Sequence, residues 1–116
     1  MSLRFTRGHR LSLQSDFAAV LRQGERRVVP HFILYRLETS RKFHRLGIAV
    51  SKPIGGAVQR NRVKRRIREW FRHRCGSGGG SVAKHFDLVI RCRSGAAEGS
   101  YLEIRDELDK AFEIKN

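Results

Sequence analysis

Apolar residues recur every three or four positions over 57–74, and this spacing predicts the longest helix of the chain. Its apolar stripe consists of four large side chains at i, i+4, i+7 and i+8, namely Val63, Ile67, Trp70 and Phe71. Shorter stretches with the same spacing predict one helix over 15–24 and another after Ser100. Because short helices are not stable alone in water, each stripe is expected to pack on the rest of the chain.

Polar and small residues mark the ends of the two shorter helices. Ser15 is expected to cap the first helix, and Gly24 is expected to end it in the left-handed conformation. Ser100 and Glu103 form a capping box at the start of the last helix.

Runs rich in β-branched and aromatic residues predict strands over 28–37, 45–51 and 85–93. The short polar segment 38–44 indicates that the second strand runs antiparallel to the first, and the long helix allows the last two strands to be parallel neighbours. The order α-β-β-α-β-α indicates an α+β fold, a small sandwich forming a single domain over residues 1–116. Residues 1–9 are expected to be flexible, and 76–81 are expected to form a glycine-rich loop.

Charge narrows the choice of partner. The 116 residues carry 25 Lys and Arg against 11 Asp and Glu, a formal net charge of +14. The first 97 residues hold a net charge of +17 and the last 19 a net charge of −3. Nineteen of the 25 basic residues are Arg. The planar guanidinium of Arg can pair with two phosphate oxygens and stack on nucleobases. A polyanion is therefore the expected partner, with nucleic acid favoured over an anionic membrane surface.

Other features exclude several classes of protein. No apolar run approaches the ~18–20 residues that a membrane span requires, and the N-terminal residues lack the apolar stretch of a signal peptide. Two cysteines, Cys75 and Cys92, cannot form a disulfide framework and suit a reducing compartment, so a cytoplasmic location is expected.

The segment 60–68 concentrates the basic charge, with six Lys and Arg among nine residues. On a helical wheel, the side opposite the apolar stripe carries Asn61, Arg65, Arg68 and Arg72. Such a face suits a run of phosphates, and the Asn61 amide suits a base edge or a 2′-hydroxyl. A calmodulin target or a membrane-surface helix shows the same pattern, but those usually lie outside a folded core.

Aromatic residues near the predicted strands offer rings for stacking unpaired bases. Phe17 and Phe32 also have the spacing of ordinary core residues. Tyr35, with its hydroxyl and the neighbouring Arg36, is the better candidate for an exposed ring.

Protein-based catalysis finds little support. The acidic residues outside the C-terminal segment are not spaced as a metal-binding pair, and the five histidines form no HxxxH motif. His73, Cys75 and His85 resemble an incomplete zinc site, without a CxxC motif or a fourth ligand. No phosphate-binding loop or nucleophile elbow is present.

The arginine-rich segment belongs to an ordered set of motifs over residues 9–114. The set comprises Arg10-Leu11, Asp16-Phe17 with Val20 and Gly24, Phe32–Tyr35, Arg45–Lys52, Arg60–Arg68, Asp87–Ile90 and the capped last helix. In order and spacing this set resembles the bacterial ribonuclease P protein subunit, with Arg60–Arg68 matching its RNR signature.

The resemblance implies a fold like a domain of a small-subunit ribosomal protein, with a left-handed βαβ crossover. It also implies that an RNA subunit carries catalysis, removing the 5′ leader of precursor tRNA, and that this chain has no catalytic residue. The implied contacts to the RNA subunit are Arg60, Asn61, Arg62, Lys64, Arg65 and Arg68. The implied leader cleft involves Phe17, Leu21, Tyr35 and Arg93, and further RNA contacts are Arg10, Lys52 and Arg72.

Cofactors and partners follow from the same resemblance. Mg²⁺ is expected to serve the RNA reaction, with Asn61 as the only residue assigned a share in a metal site and no cofactor bound tightly by the protein. The partners are the ribonuclease P RNA subunit and precursor tRNA, and the free protein is expected to be a monomer. The family's Ala-Arg-Lys reads Cys92-Arg93-Ser94 here, so Arg93 is expected to take over the role of the family lysine.

Two other functions remain open from the residues alone. A ribosomal or assembly RNA-binding protein would carry the same basic helix, and a protein nuclease would cleave RNA without an RNA subunit.

Overall fold

A computed structural model of the chain describes residues 10–11, 14–40, 43–75 and 85–113. The helices are α1 (Gln14–Gln23), α2 (Ala57–Cys75) and α3 (Tyr101–Glu113), and the strands are β1 (Glu25–Val28), β2 (Phe32–Thr39), β3 (Arg45–Ala49) and β4 (His85–Cys92). Short 3₁₀ turns at Lys52–Ile54 and Ala96–Glu98 precede α2 and α3. The predictions for 1–9 and 76–81 lie outside the described residues.

The four strands form one mixed sheet in the order β1-β2-β4-β3. β4 runs antiparallel to β2 and parallel to β3, and α2 makes the crossover between the parallel neighbours β3 and β4, as predicted. The first two predicted strands, β2 and β3 here, run antiparallel as expected, but they are not neighbours because β4 lies between them. The α+β class is confirmed, and the handedness of the crossover stays a prediction.

One strand was missed by the sequence pattern. The predicted strand 28–37 is two strands joined by a tight turn, in which the Val29 amide donates to the Phe32 carbonyl at 2.9 Å. Pro30 lies in this turn, where its fixed φ and missing N–H are tolerated. The preceding segment 25–28 pairs with β2 although its sequence, ERRV, does not alternate between apolar and polar residues.

α2 and α3 cover one side of the sheet and enclose the main core. All four predicted stripe residues of α2 are at most 1% exposed: Val63, Ile67, Trp70 and Phe71. They pack on β2 and β4 side chains such as Phe32, Leu34, Leu88 and Ile90. This side therefore holds most of the apolar area that stabilises the fold.

α1 covers the other side and holds a smaller cluster. Val20, Tyr35, Val89 and Leu11 are its buried members, and Phe17 packs against them. The two sides thus differ in depth, with two helices on one and ten residues of helix on the other.

The helix ends test three local predictions. The capping box is confirmed, because the Ser100 amide donates to Glu103 Oε1 at 2.9 Å and the Glu103 amide donates to Ser100 Oγ at 3.2 Å. The cap assigned to Ser15 is wrong, since α1 already includes Gln14. Gly24 does not adopt a positive φ. It is needed for space instead, as a Cβ there would lie 2.6 Å from the Val20 carbonyl oxygen.

Candidate nucleic-acid interface

The basic face of α2 is formed by the six residues assigned to the RNA subunit: Arg60, Asn61, Arg62, Lys64, Arg65 and Arg68. Asn61, Arg62 and Arg65 are exposed, whereas Arg60, Lys64 and Arg68 are partly buried. α2 carries eight Lys and Arg and a single acid, Glu69. The helix therefore presents a dense positive charge that suits a phosphate backbone.

Glu69 neutralises part of that charge at the C-terminal end of α2. It pairs with Arg72 and, at 3.0 Å, with His73, and these two contacts lower the pKa of Glu69 despite the opposing effect of burial. Arg72, an expected RNA contact, is consequently already held by a carboxylate.

Arg66 belongs to the arginine-rich segment 60–68, but its guanidinium donates a hydrogen bond to the Gly99 carbonyl. This contact joins α2 to the segment before α3, so Arg66 has a structural role. Lys52, another expected contact, is exposed in the 3₁₀ turn that leads into α2.

A cavity of about 190 Å³ connects the basic face with α1. Three basic residues line it: Arg10, Lys64 and Arg68. The rest of the lining is apolar: Leu11, Phe17, Leu46, Gly47 and Ile48. A Cβ on Gly47 would lie 2.6 Å from Phe17 Cε2, so the Phe17 ring rests directly on the β3 backbone. The structure thus brings Arg10 and Phe17, which were predicted for different contacts, to one place.

The four leader-cleft residues have different environments. Phe17 is partly buried, and Leu21 is 36% exposed on α1. Arg93 lies just beyond β4, where its guanidinium donates to the Val29 carbonyl at 2.7 Å. Tyr35 is only 7% exposed, so the prediction that its ring is exposed for stacking is wrong. The cluster beneath α1 covers the ring.

Two cations nevertheless lie near Tyr35, because Arg26 is its partner on β1 and Arg91 lies two residues beyond its β4 partner, Val89. Burial acts to raise the pKa of Tyr35, but hydrogen bonding to Arg26 and Arg91 and their positive charges outweigh it and bring the pKa below its usual value. Sequence reasoning missed both arginines. Arg26 lies on the strand that was not predicted, and the side chains that face each other across a sheet depend on strand order.

Beyond Tyr35, one row of residues crosses the sheet on the α1 side. Adjacent strands place Val28, Ile33, Arg91 and Ala49 in register. We call these four residues the open row, because Val28 is 47% exposed, Arg91 is exposed and the other two are partly buried.

A buried ion-pair network fixes the N-terminal end of α1 to the sheet. Arg45 on β3 donates to both oxygens of Asp87 at 2.8 and 2.6 Å, and to Asp16 of α1 at 3.2 Å. The hydrogen bonds to Asp87 raise the pKa of Arg45 against the opposing effect of burial. The network holds the start of α1 against the sheet, at a distance from the exposed Val28 and Arg91 of the open row.

The described residues offer little for metal or covalent chemistry. They contain no group of three or more His, Cys, Asp or Glu that could hold a metal ion. Burial raises the pKa of the Cys92 thiol to about 12, which makes it a poor nucleophile. Within the same residues, no helix is both long and apolar enough to span a bilayer.

An arginine-rich helix beside a half-covered sheet is typical of small basic proteins that bind nucleic acids. The family model for Ribonuclease P matches residues 5–116. A Ribonuclease P protein component of Streptococcus pneumoniae (strain Hungary19A-6) is 34% identical over 99 residues, covering 85% of this chain and 77% of the relative. The chain therefore belongs to the ribonuclease P protein family.

Solved structures of the family share the fold. The RNase P protein of Staphylococcus aureus has a TM-score of 0.75 at 30% identity, covering 90% of this chain and 92% of that protein. The RNase P protein of Thermotoga maritima has a TM-score of 0.75 at 28% identity, covering 92% of this chain and 98% of that protein. Both likenesses support the α+β architecture described above.

Proposed function

We propose that this chain is the protein subunit of a ribonuclease P, in which an RNA subunit cleaves precursor tRNA to release the 5′ leader. The basic face of α2 binds the RNA subunit. The α1 side of the sheet binds the single-stranded leader. The protein contributes binding and no catalytic group, and Mg²⁺ acts with the RNA.

The observation that carries this proposal is the position of the cavity between α1 and α2. Lys64 and Arg68 line it from the basic face, and Phe17 lines it from α1. A structured RNA on α2 and a single strand along α1 would therefore be neighbours on one small protein. Membership of the ribonuclease P protein family supports the same pair of partners.

Reconstitution tests the proposal. The chain is combined with a bacterial ribonuclease P RNA subunit, and cleavage of a precursor tRNA is measured at low Mg²⁺. We expect faster cleavage and tighter substrate binding than with the RNA alone, because the Lys and Arg side chains of the protein reduce the repulsion between the two RNAs. No stimulation at any protein concentration would contradict the proposal.

Two controls separate the alternatives. The purified chain without RNA should leave the precursor intact, whereas a protein nuclease would cleave it. Mature tRNA should bind the reconstituted complex with little help from the protein, whereas a general ribosomal RNA binder would show no dependence on the leader.

A further inference from the structure

Two arginines from different strands converge on Tyr35 on the α1 side of the sheet. Arg26 is the direct cross-strand partner of Tyr35, and Arg91 pairs with Ile33, two residues away on the same strand. Arg91 also lies two residues beyond Val89, the β4 partner of Tyr35, so all three side chains share the α1 side of the sheet. Direct and diagonal partners on one face of a sheet lie within reach of long side chains. The register therefore brings two positive charges close to the buried Tyr35 ring, in keeping with their effect in lowering its pKa.

These two charges are available to an outside anion. Both side chains are exposed, and no ion pair joins either to a carboxylate in the described part of the chain. Other arginines near the sheet are engaged, as Arg36 pairs with Glu25 and Arg45 pairs with Asp87. A guanidinium has five N–H donors, so a bond to Tyr35 leaves most of them for another acceptor.

The surroundings favour a nucleic-acid strand over a small anion. Arg91 belongs to the open row, whose neighbours Val28 and Ile33 give an apolar surface beside the charges. The phosphate of a nucleic-acid strand can accept hydrogen bonds from both guanidiniums while the adjoining sugar or nucleobase lies on the apolar surface.

We propose that Arg26 and Arg91 clamp a single phosphate of an RNA strand crossing the open row, and that Tyr35 positions both guanidiniums for it. This inference rests on the proposed function, because the strand is the 5′ leader of precursor tRNA. Tyr35 touches no RNA in this arrangement and is a positioning residue.

Binding to the reconstituted complex provides the first test. Arg26→Ala and Arg91→Ala should each weaken binding of a leader-bearing precursor about tenfold, since charge-assisted hydrogen bonds are lost. Binding of mature tRNA should not change. The control is Arg105→Ala, which removes an exposed arginine of α3 on the opposite side of the sheet and should alter neither affinity. Unchanged leader affinity in both clamp variants would overturn the clamp.

A leader with one neutral methylphosphonate linkage, moved along the strand, locates the phosphate. In the wild-type complex one position should weaken binding strongly, and in the Arg26→Ala/Arg91→Ala variant that position should have no effect. Equal effects at every linkage, or the same profile in both proteins, would overturn a clamp on one phosphate. Inorganic phosphate at competing concentrations should relieve the preference only weakly, whereas full competition would indicate a free-anion site.

Tyr35→Phe tests the positioning role because it keeps the ring and removes only the hydroxyl. Its thermal unfolding should match the wild type, while its leader affinity should fall and its effect should be less than additive with Arg26→Ala. Wild-type leader affinity in Tyr35→Phe would overturn the role. If the wild-type complex itself ignored the leader, the proposed function would fail; retained leader preference in all variants would reject the clamp alone.

Discussion

The two sides of the sheet differ in what their apolar residues contact. On the side of α2 and α3, Phe32 and Leu88 are fully buried in one continuous core. On the α1 side, Val28 is 47% exposed within the same sheet. A small domain can therefore enclose one side of its sheet for stability and keep part of the other side accessible.

Helix length explains this difference. α1 has ten residues and α2 has 19, so α1 reaches only part of the sheet. Its contacts run from the Arg45–Asp87 pair to the cluster of Tyr35 and Val89, against which Ile33 of the open row also packs, and they leave Val28 at the end of that row 47% exposed.

The largest expected effect on stability is on the side of the sheet that α2 and α3 cover. Phe32→Ala should lower the free energy of unfolding by about 3–5 kcal/mol, because it removes a fully buried ring and leaves a cavity. Val28→Ala, its matched control on the open row, should cost only about 0.5 kcal/mol. Urea denaturation of both variants measures the difference. Similar losses in the two variants would mean that the sides are not distinct in stability.

The anchor of α1 should show the next largest effect. Arg45→Ala should cost about 3 kcal/mol, because it leaves the buried Asp87 carboxylate without its partner. Urea denaturation measures the loss. The double variant Arg45→Met/Asp87→Leu, which replaces the pair by apolar side chains, should recover most of it. A loss below about 1 kcal/mol in Arg45→Ala would contradict the anchor.

A smaller effect is expected in the titration of Tyr35, followed through the ultraviolet absorbance of tyrosinate in a Tyr101→Phe background. The lowered pKa predicts ionisation below the usual value of about 10. The folded protein then loses this proton before the unfolded chain does, so stability should rise with pH between the two pKa values. Arg26→Ala should return the midpoint toward its usual value, whereas an unchanged midpoint would mean that Arg26 does not act on the hydroxyl.

The smallest effect concerns the basic face itself. Arg65→Ala should reduce the slope of log affinity against log salt by about one, because Arg65 is exposed and contacts a phosphate in the proposed complex. Arg68→Ala should do the same. Arg72→Ala should change the slope less, since Glu69 already neutralises Arg72. Binding to the RNA subunit at several salt concentrations gives the slopes, and equal slopes for Arg65→Ala and Arg72→Ala would place the contact elsewhere.

Local patterns predicted much of the fold. The α2 stripe and the Ser100–Glu103 capping box depend on residues close in sequence, and both were predicted correctly. β1 was missed because its pairing with β2 outweighs a sequence without alternation. The insertion of β4 between β2 and β3 was also missed, since periodicity carries no information on strand order.

The candidate site was less accessible from the sequence. The arginine-rich helix was evident from composition, but periodicity does not show which face of β2 is covered, so the burial of Tyr35 was missed. Arg45 and Asp87 are 42 residues apart, and Arg26 and Arg91 meet only through the folded sheet. Such contacts are set by tertiary structure.

The cavity between α1 and α2 has a consequence for the order of assembly. Lys64 and Arg68 border both proposed RNA surfaces, so in the proposed complex the RNA subunit and the leader would share two cations. Each RNA would then change the affinity of the protein for the other by the same factor, as thermodynamic linkage requires. Precursor tRNA and the RNA subunit would therefore not bind this protein as independent ligands.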